Sequence, residues 1–179
     1  MSSFRPAAAL LITLALSACG FRPLYAPPAE DASGQSVYAF EALKAVEVGQ
    51  IPDRNGQYLR NKLVRLLHPT GSARKMEYAL RISFSESRTD LDVQQSAIAT
   101  RANLTVNVRY DLIAVGSGIN LGSGTVSATG GFNIFDSEFQ TLIAEQGARE
   151  RALESAAEQI RIRIATLLNR SLSADTTRS

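Results

Sequence analysis

The sequence predicts an α+β domain in the order β-α-β-β-β-α, with a four-stranded, mainly antiparallel sheet and two helices packed on one face. Three segments alternate apolar and polar side chains with a period of two residues, which is typical of strands that bury one side. Two other segments repeat apolar side chains at helical spacing. The polar side of the strands predicts a second sheet face that meets water or a hydrophilic partner, as antiparallel sheets allow.

The first strand is predicted at residues 42–48, where the alternation is short and imperfect. Its apolar residues are Leu43, Val46 and Val48. A helix follows, and Asp53 is a residue type that caps helix N-termini. The apolar side chains of this helix recur at i, i+4, i+7 and i+8, the spacing of one helical face: Leu59, Leu63, Leu66 and Leu67. The helix is expected to end at His68, because Pro69 disfavours the helical conformation in the residue before it.

Two strands with clear alternation come next, around residues 78–85 and 103–112. Their apolar sides consist of Tyr78, Leu80, Ile82 and Phe84, and of Leu104, Val106, Val108, Tyr110 and Leu112. Two glycine-serine tracts, 116–118 and 122–124, predict a turn before the last strand. The apolar residues of that strand are Val126, Ala128, Phe132 and Ile134. The Gly130-Gly131 pair within it predicts a bulge or the close approach of another backbone.

The last predicted element is a long helix. Ser137, followed three residues later by Gln140, matches a capping box, and no proline occurs from there to about Asn169. The apolar stripe of this helix comprises Leu153, Ala157, Ile160, Ile164 and Leu167. At ~1.5 Å per residue the helix would be about 50 Å long. The polar residues 171–179 are expected to form a disordered tail, so a single domain would cover residues 42–170.

The N-terminus has the layout of a secretion signal that ends on the only cysteine. Residues 7–16 form an apolar run, which is far shorter than the ~20 residues needed to span a bilayer. The tetrapeptide Leu16-Ser17-Ala18-Cys19 resembles the bacterial lipobox, in which the cysteine carries diacylglycerol and, after cleavage before it, an N-acyl chain such as palmitate. We therefore expect removal of residues 1–18 and a lipidated spacer over residues 19–41. The alternative is a plain signal peptide followed by a free cysteine.

The cysteine is followed by the run Gly20-Phe21-Arg22-Pro23-Leu24-Tyr25. From Cys19 onward this run resembles the start of the mature LptE family of lipopolysaccharide-assembly lipoproteins, and the order of predicted elements agrees. The resemblance implies a periplasm-facing lipoprotein of the outer membrane, without enzymatic activity or a cofactor. Such a protein plugs and helps assemble the lipopolysaccharide-translocating β-barrel LptD, and assists insertion of lipopolysaccharide into the outer leaflet.

The composition gives no sign of catalysis or of nucleic-acid binding. Loss of Arg5 with the signal leaves 18 basic side chains against 17 acidic ones, a formal charge of +1. The sequence contains no Gly-x-Ser-x-Gly elbow, Walker loop or His-Glu-x-x-His motif. Its one cysteine and one histidine argue against disulfides and structural zinc sites. His68 is expected to cap carbonyls or face solvent. Asp90 and Asp92 lack the spaced carboxylates and the glycine of a calcium loop.

Lipopolysaccharide carries phosphates, so basic residues are candidate contacts. Arg74 and Lys75 lie in a predicted loop, and Arg81 and Arg109 lie on the polar face of the predicted sheet. Solvation, or cross-strand pairing with an acid such as Asp111, is the alternative for the last two. The alternative function is a periplasmic lipoprotein that binds lipid or assists a transporter, which would need an apolar cavity. A lipid-anchored hydrolase would need a nucleophile and a base that the sequence does not offer.

Overall fold

The computed structural model describes residues 42–69, 75–93 and 99–176. Its elements are β1 (Val46–Val48), α1 (Arg54–Leu67), β2 (Tyr78–Val93), β3 (Ala99–Ala114), β4 (Asn120–Asn133) and α2 (Glu138–Thr176). The strands form one sheet in the order β1-β2-β3-β4, in which β1 is parallel to β2 and the other neighbours are antiparallel. The predicted α+β class, the element order and the mainly antiparallel sheet are confirmed.

One hydrophobic core lies between the sheet and the two helices. In β3 every second side chain from Ala102 to Leu112 is buried, and the side chains between them are partly or fully exposed. Helix α1 contributes the predicted Leu59, Leu63 and Leu67, each at most 1% exposed. Burial of a leucine side chain stabilises a fold by about 1.5–3 kcal/mol. The two-residue and helical periodicities therefore identify the faces that this core buries.

The start of the domain differs from the prediction. The chain turns before β1, because the Ala45 N–H donates to the Ala42 carbonyl at 3.0 Å, and the strand begins only at Val46. Leu43 and Val46 are three residues apart, so a straight strand would point them to opposite sides; the turn allows both to be buried. Asp53 occupies the N-cap position of α1 with φ 69°, but its side chain makes no capping hydrogen bond. The predicted side-chain cap is therefore wrong.

Only the first glycine-serine tract forms a turn, in which Gly118 has φ 69°. The second tract lies within β4, which corrects the prediction for residues 122–124. A Cβ on Gly122 would lie 2.6 Å from Leu167 Cδ2, and one on Gly124 would lie 2.7 Å from Tyr110 Oη. These two glycines therefore make room for side chains that pack against the strand.

The glycine pair in β4 marks a close approach of backbones, as predicted. A Cβ on Gly130 would overlap the carbonyl group of Ala148 in α2. The strand register is regular there, since Gly130 faces Leu104. The register shift between β3 and β4 lies instead between Leu112 and Ile113. The prediction of a close approach is confirmed, and no bulge occurs at the glycine pair.

Helix α2 begins as predicted, with the Gln140 N–H donating to Ser137 Oγ at 3.5 Å. It comprises 39 residues and ends at Thr176, beyond the end expected near Asn169. At ~1.5 Å per residue its length is about 58 Å. Its buried stripe consists of Ala148, Ala152, Leu153, Ala156, Ala157, Ile160, Ile164 and Leu168. Four of these residues are alanines, whose small side chains let the helix axis approach β4 closely.

The two helices are joined by a polar contact. Glu154 of α2 accepts hydrogen bonds from Lys62 Nζ at 2.8 Å and from the Tyr58 hydroxyl at 3.2 Å, both in α1. The hydrogen bond from Lys62 holds the pKa of Glu154 below its usual range. Burial, together with the negative charge of Glu154, raises the pKa of Tyr58. The contact fixes how α1 lies against α2.

Candidate functional site

The two helices cover one face of the sheet and leave the other face bare. Small hydroxyl and amide side chains dominate this bare face, and all of them are exposed or partly exposed. They are Ser83, Ser85, Ser87 and Thr89 of β2, Asn103, Thr105 and Asn107 of β3, and Ser123, Thr125, Ser127, Thr129 and Asn133 of β4. Successive side chains of a strand point to opposite faces of the sheet. The residues between these polar ones face the helices, so the polar ones face the other side.

The strand register arranges the bare face in rows that cross three strands. Two neighbouring rows are Ser87-Thr105-Thr129 and Ser85-Asn107-Ser127. The hydroxyl oxygens of Thr105 and Thr129 lie 3.0 Å apart and share a hydrogen bond. Both rows lie in regular register and carry no aromatic side chain. The bare face therefore offers many hydrogen-bonding groups and little apolar area, which suits a hydrophilic partner.

The structure places the predicted phosphate contacts Arg81 and Arg109 on the bare face, and both are exposed. Arg81 faces Asp111 across the β2–β3 pair, and Arg109 precedes Asp111 by two residues on the same side of β3. The two guanidinium groups and the carboxylate thus occupy adjoining rows. Within the described part of the chain, no ion pair joins them. Their role as phosphate contacts stays a prediction.

The other predicted site residues are not brought to the bare face. Lys75 is exposed and lies in the connection that leads into β2. Several predicted residues lie outside the described ranges: Leu16, Ser17, Ala18, Cys19, Gly20, Phe21, Arg22, Pro23, Leu24, Tyr25 and Arg74. The predictions of lipidation at Cys19 and of a family motif after it therefore stay predictions.

A charged cluster that sequence reasoning missed lies between β2 and α2. It consists of Glu86, Arg88, Asp90, Glu145 and Arg149. Arg149 bonds Glu86 at 2.9 Å and Glu145 at 2.7 Å, and Arg88 bonds Glu145 at 3.1 Å. The phase of β2 could have revealed it, because Glu86 and Arg88 continue the series of alternate residues that face the helices.

The charged cluster satisfies its own charges. Burial lowers the pKa of the Arg149 guanidinium, but hydrogen bonds to Glu86 and Glu145 outweigh that effect and the pKa is raised. The hydrogen bond to Asp90 is the main cause that raises the pKa of Arg88. Both guanidinium groups are committed to carboxylates of the chain. The charged cluster therefore holds β2 and α2 together through ion pairs, and it is a poor site for phosphate.

The structure gives the single histidine a structural contact. His68 follows the end of α1, and its Nε2 lies 3.0 Å from the carbonyl oxygen of Val46, to which it can donate a hydrogen bond. Asp90, weighed as a calcium ligand, is paired with Arg88 at 2.9 Å. In the described ranges, no three His, Cys, Asp or Glu side chains converge as metal ligands would. The helices in the same ranges lack the combination of length and apolarity needed to cross a bilayer.

Several solved lipoprotein structures are similar to this chain. A protein from Caulobacter crescentus CB15, described as a candidate lipoprotein, is 26% identical with a TM-score of 0.60, and the match covers 74% of this chain and 97% of that one. A minor lipoprotein from Acinetobacter baumannii is 17% identical with a TM-score of 0.55, covering 68% and 90%. Lipoprotein B from Nitrosomonas europaea is 17% identical with a TM-score of 0.54, covering 73% and 91%. The last two similarities concern the fold alone.

No curated protein shows significant sequence similarity to the chain. The family model for LptE, described as lipopolysaccharide-assembly, matches residues 43–164. That range runs from the turn before β1 into the C-terminal half of α2, and it includes all four strands and the whole of the bare face. The match therefore covers the sequence of the folded domain and does not depend on the N-terminal motif. The chain belongs to the LptE family of lipopolysaccharide-assembly proteins.

Proposed function

We propose that this protein is a lipoprotein of the outer membrane that plugs and helps assemble the lipopolysaccharide-translocating β-barrel LptD. In that position it assists insertion of lipopolysaccharide into the outer leaflet. The observation that carries the proposal is the family match over residues 43–164. Acylated Cys19 anchors the chain on the periplasmic side. The protein acts by binding and not by catalysis, in keeping with a family of non-enzymatic lipoproteins.

The chemistry of the bare face supports this proposal. The interior wall of a large membrane barrel is polar, because its strands alternate lipid-facing and lumen-facing side chains. Rows of Ser, Thr and Asn can exchange their hydrogen bonds with water for hydrogen bonds with such a wall. Three strands about 4.8 Å apart and some 11 residues long give roughly 500 Å². A permanent complex buries about 1,000 Å² or more per partner. Such a complex would therefore have to bury further surface of the chain besides the bare face.

The proposal is tested by affinity purification of the C-terminally tagged, full-length protein from detergent-solubilised outer membranes. We expect recovery of LptD in near-equal amount. Recovery of lipid alone, or of an inner-membrane transporter, would favour the alternative of a lipid-binding or transporter-auxiliary lipoprotein. Lipopolysaccharide measured in the same eluate tests direct binding. The double substitution Arg81→Ala/Arg109→Ala should lower that amount if these residues, with Arg74 and Lys75, hold its phosphates.

A substitution at the centre of the bare face tests whether this surface meets the barrel. Ser127→Arg is expected to lower LptD recovery at least about tenfold, because a long cation replaces a small hydroxyl in a hydrogen-bonded contact. Ser127 is exposed, so the free energy of unfolding should change by no more than about 0.5 kcal/mol. Ser155→Arg, at an exposed serine of α2, is the matched control. Equal recovery of LptD with both variants would exclude the bare face as the contact.

A further inference from the structure

An apolar patch lies on the first two turns of α2, outside the core. Phe139, Leu142 and Ile143 have the i, i+3, i+4 spacing of one helical face, and their exposed fractions are 71%, 59% and 53%. Phe135, in the connection from β4, is 45% exposed. These four residues are referred to here as the α2 patch. Their exposure shows that they lie outside the buried stripe of α2, which begins at Ala148.

Hydrogen bonds hold the α2 patch in place. Thr141 Oγ1 donates to the Phe135 carbonyl at 3.1 Å and lies 2.8 Å from the Phe135 nitrogen, whose N–H it accepts. The Ser137 cap fixes the intervening backbone through the Gln140 N–H. These hydrogen bonds therefore hold the connection between β4 and α2 against the first turn of the helix. A partner that binds a surface fixed in advance loses less conformational entropy than one that must order it.

The size of the α2 patch indicates a binding surface. A large apolar side chain has about 150–250 Å² to expose, so the four exposed fractions correspond to roughly 400 Å². That is the size of the largest apolar patch on a typical monomer, and such patches are often functional. The bare face alone is too small for a permanent complex, and the area of the α2 patch is close to the area that is missing. The α2 patch is too large to be explained as scattered surface hydrophobicity.

The charges beside the α2 patch are negative. Asp136 and Glu138 are exposed, and neither forms an ion pair with any residue of the described ranges. Glu138 lies in the first turn of α2 and offsets the positive end of the helix dipole. A depression of about 400 Å³ adjoins the patch, lined by Arg88, Glu138, Phe139, Thr141, Leu142 and Glu145. Its one cation, Arg88, is already paired with Asp90 and Glu145.

We propose that the α2 patch docks a polypeptide segment of a partner protein that presents apolar side chains beside Lys or Arg. The free carboxylates of Asp136 and Glu138 attract such a segment, and they repel the phosphate groups of anionic lipids. The inference deepens the proposed function and rests on it in one respect, because we assign the segment to the barrel that the protein plugs.

Photo-crosslinking in intact cells tests the inference with the full-length, anchored protein. A photoreactive amino acid replaces Phe139, and the control position is Ile162, which is also on α2 and 58% exposed. Mass spectrometry identifies the crosslinked peptide. We expect position 139 to capture a protein segment that combines apolar residues with Lys or Arg, and position 162 not to capture that segment. Capture of lipid alone, of an acidic segment, or of no protein would overturn the inference.

Charge reversal separates specific docking from proximity. Asp136→Lys/Glu138→Lys is expected to lower the yield of the adduct at position 139 at least about fivefold, whereas Asp136→Asn/Glu138→Gln should lower it less. A second probe at Thr125 on the bare face reports whether the variants still fold and bind. An adduct with LptD from position 125 but no protein adduct from 139 would refute the inference and leave the proposed function standing. A basic, apolar segment of another protein at position 139, without an LptD adduct from position 125, would support the docking surface but contradict both the proposed function and the assignment of the segment to the barrel.

Discussion

Gly130→Ala is expected to lower the free energy of unfolding by about 2–3 kcal/mol. The added Cβ would overlap the backbone carbonyl group of Ala148. No flexible side chain can move aside to relieve this overlap, so α2 must shift away from β4. Overpacking of a well-packed core costs typically 1–3 kcal/mol, and a clash with backbone belongs at the upper end. Urea denaturation followed by circular dichroism measures the change.

The neighbouring glycine provides a matched control for this prediction. Gly131 faces the bare side of the sheet, where an added Cβ would lie 3.3 Å from Asn103 Oδ1, at the end of a partly exposed side chain that can give way. An alanine there restricts the unfolded chain and should leave the free energy of unfolding unchanged or raise it by up to about 1 kcal/mol. Equal losses from Gly130→Ala and Gly131→Ala would show that the approach of α2 to β4 does not limit stability.

Cys19→Ala is expected to abolish lipidation, and with it the lipid anchor, completely. Cys19 is the only thiol in the sequence, and no other side chain can form the thioether to diacylglycerol. Attachment by several acyl chains holds a protein on a membrane where one chain gives only marginal binding. Incorporation of labelled palmitate measures the effect, and it should fall to background in this variant.

Ser17→Ala is the matched control, because it keeps a small residue before the lipidated position. It should be labelled and anchored like the unaltered protein. The intact mass of the mature chain provides a second criterion. A mature chain that begins at Cys19 without added lipid mass would support the plain signal peptide instead, and palmitate label that persists in Cys19→Ala would assign the acyl chain to another residue.

The sequence predicted the class, the order of elements and the covered face of the sheet, because these follow from local periodicity. It misjudged residues whose role depends on distant neighbours. A glycine-serine tract has the same composition whether it turns the chain or makes room for another side chain. Gly122 belongs to the second kind only because Leu167, far along the chain, packs against it. Single-sequence periodicity cannot supply that information.

The candidate site was predicted in part for the same reason. The polar face and the positions of Arg81 and Arg109 followed from alternation. Helical spacing alone does not say which turns of a long helix meet the sheet, so the exposure of Phe139 and Leu142 could not be predicted before the register of α2 against β4 was known. The charged cluster escaped notice because the predicted strand ended at residue 85, before Glu86 and Arg88, and because nothing local indicates that the α2 residue Arg149 lies beside them.

The shortness of β1 leaves most of β2 without a second neighbouring strand in the described ranges. β1 pairs with β2 only from Tyr78 to Leu80. From Ile82 to Val93, within the described ranges, β2 is an open edge whose outward N–H and C=O groups are free to template another strand. Charged residues on an edge are a device by which natural sheets resist such growth, and Glu86, Arg88 and Asp90 lie along this one. The charged residues along this edge therefore also disfavour edge-to-edge pairing between copies of the chain.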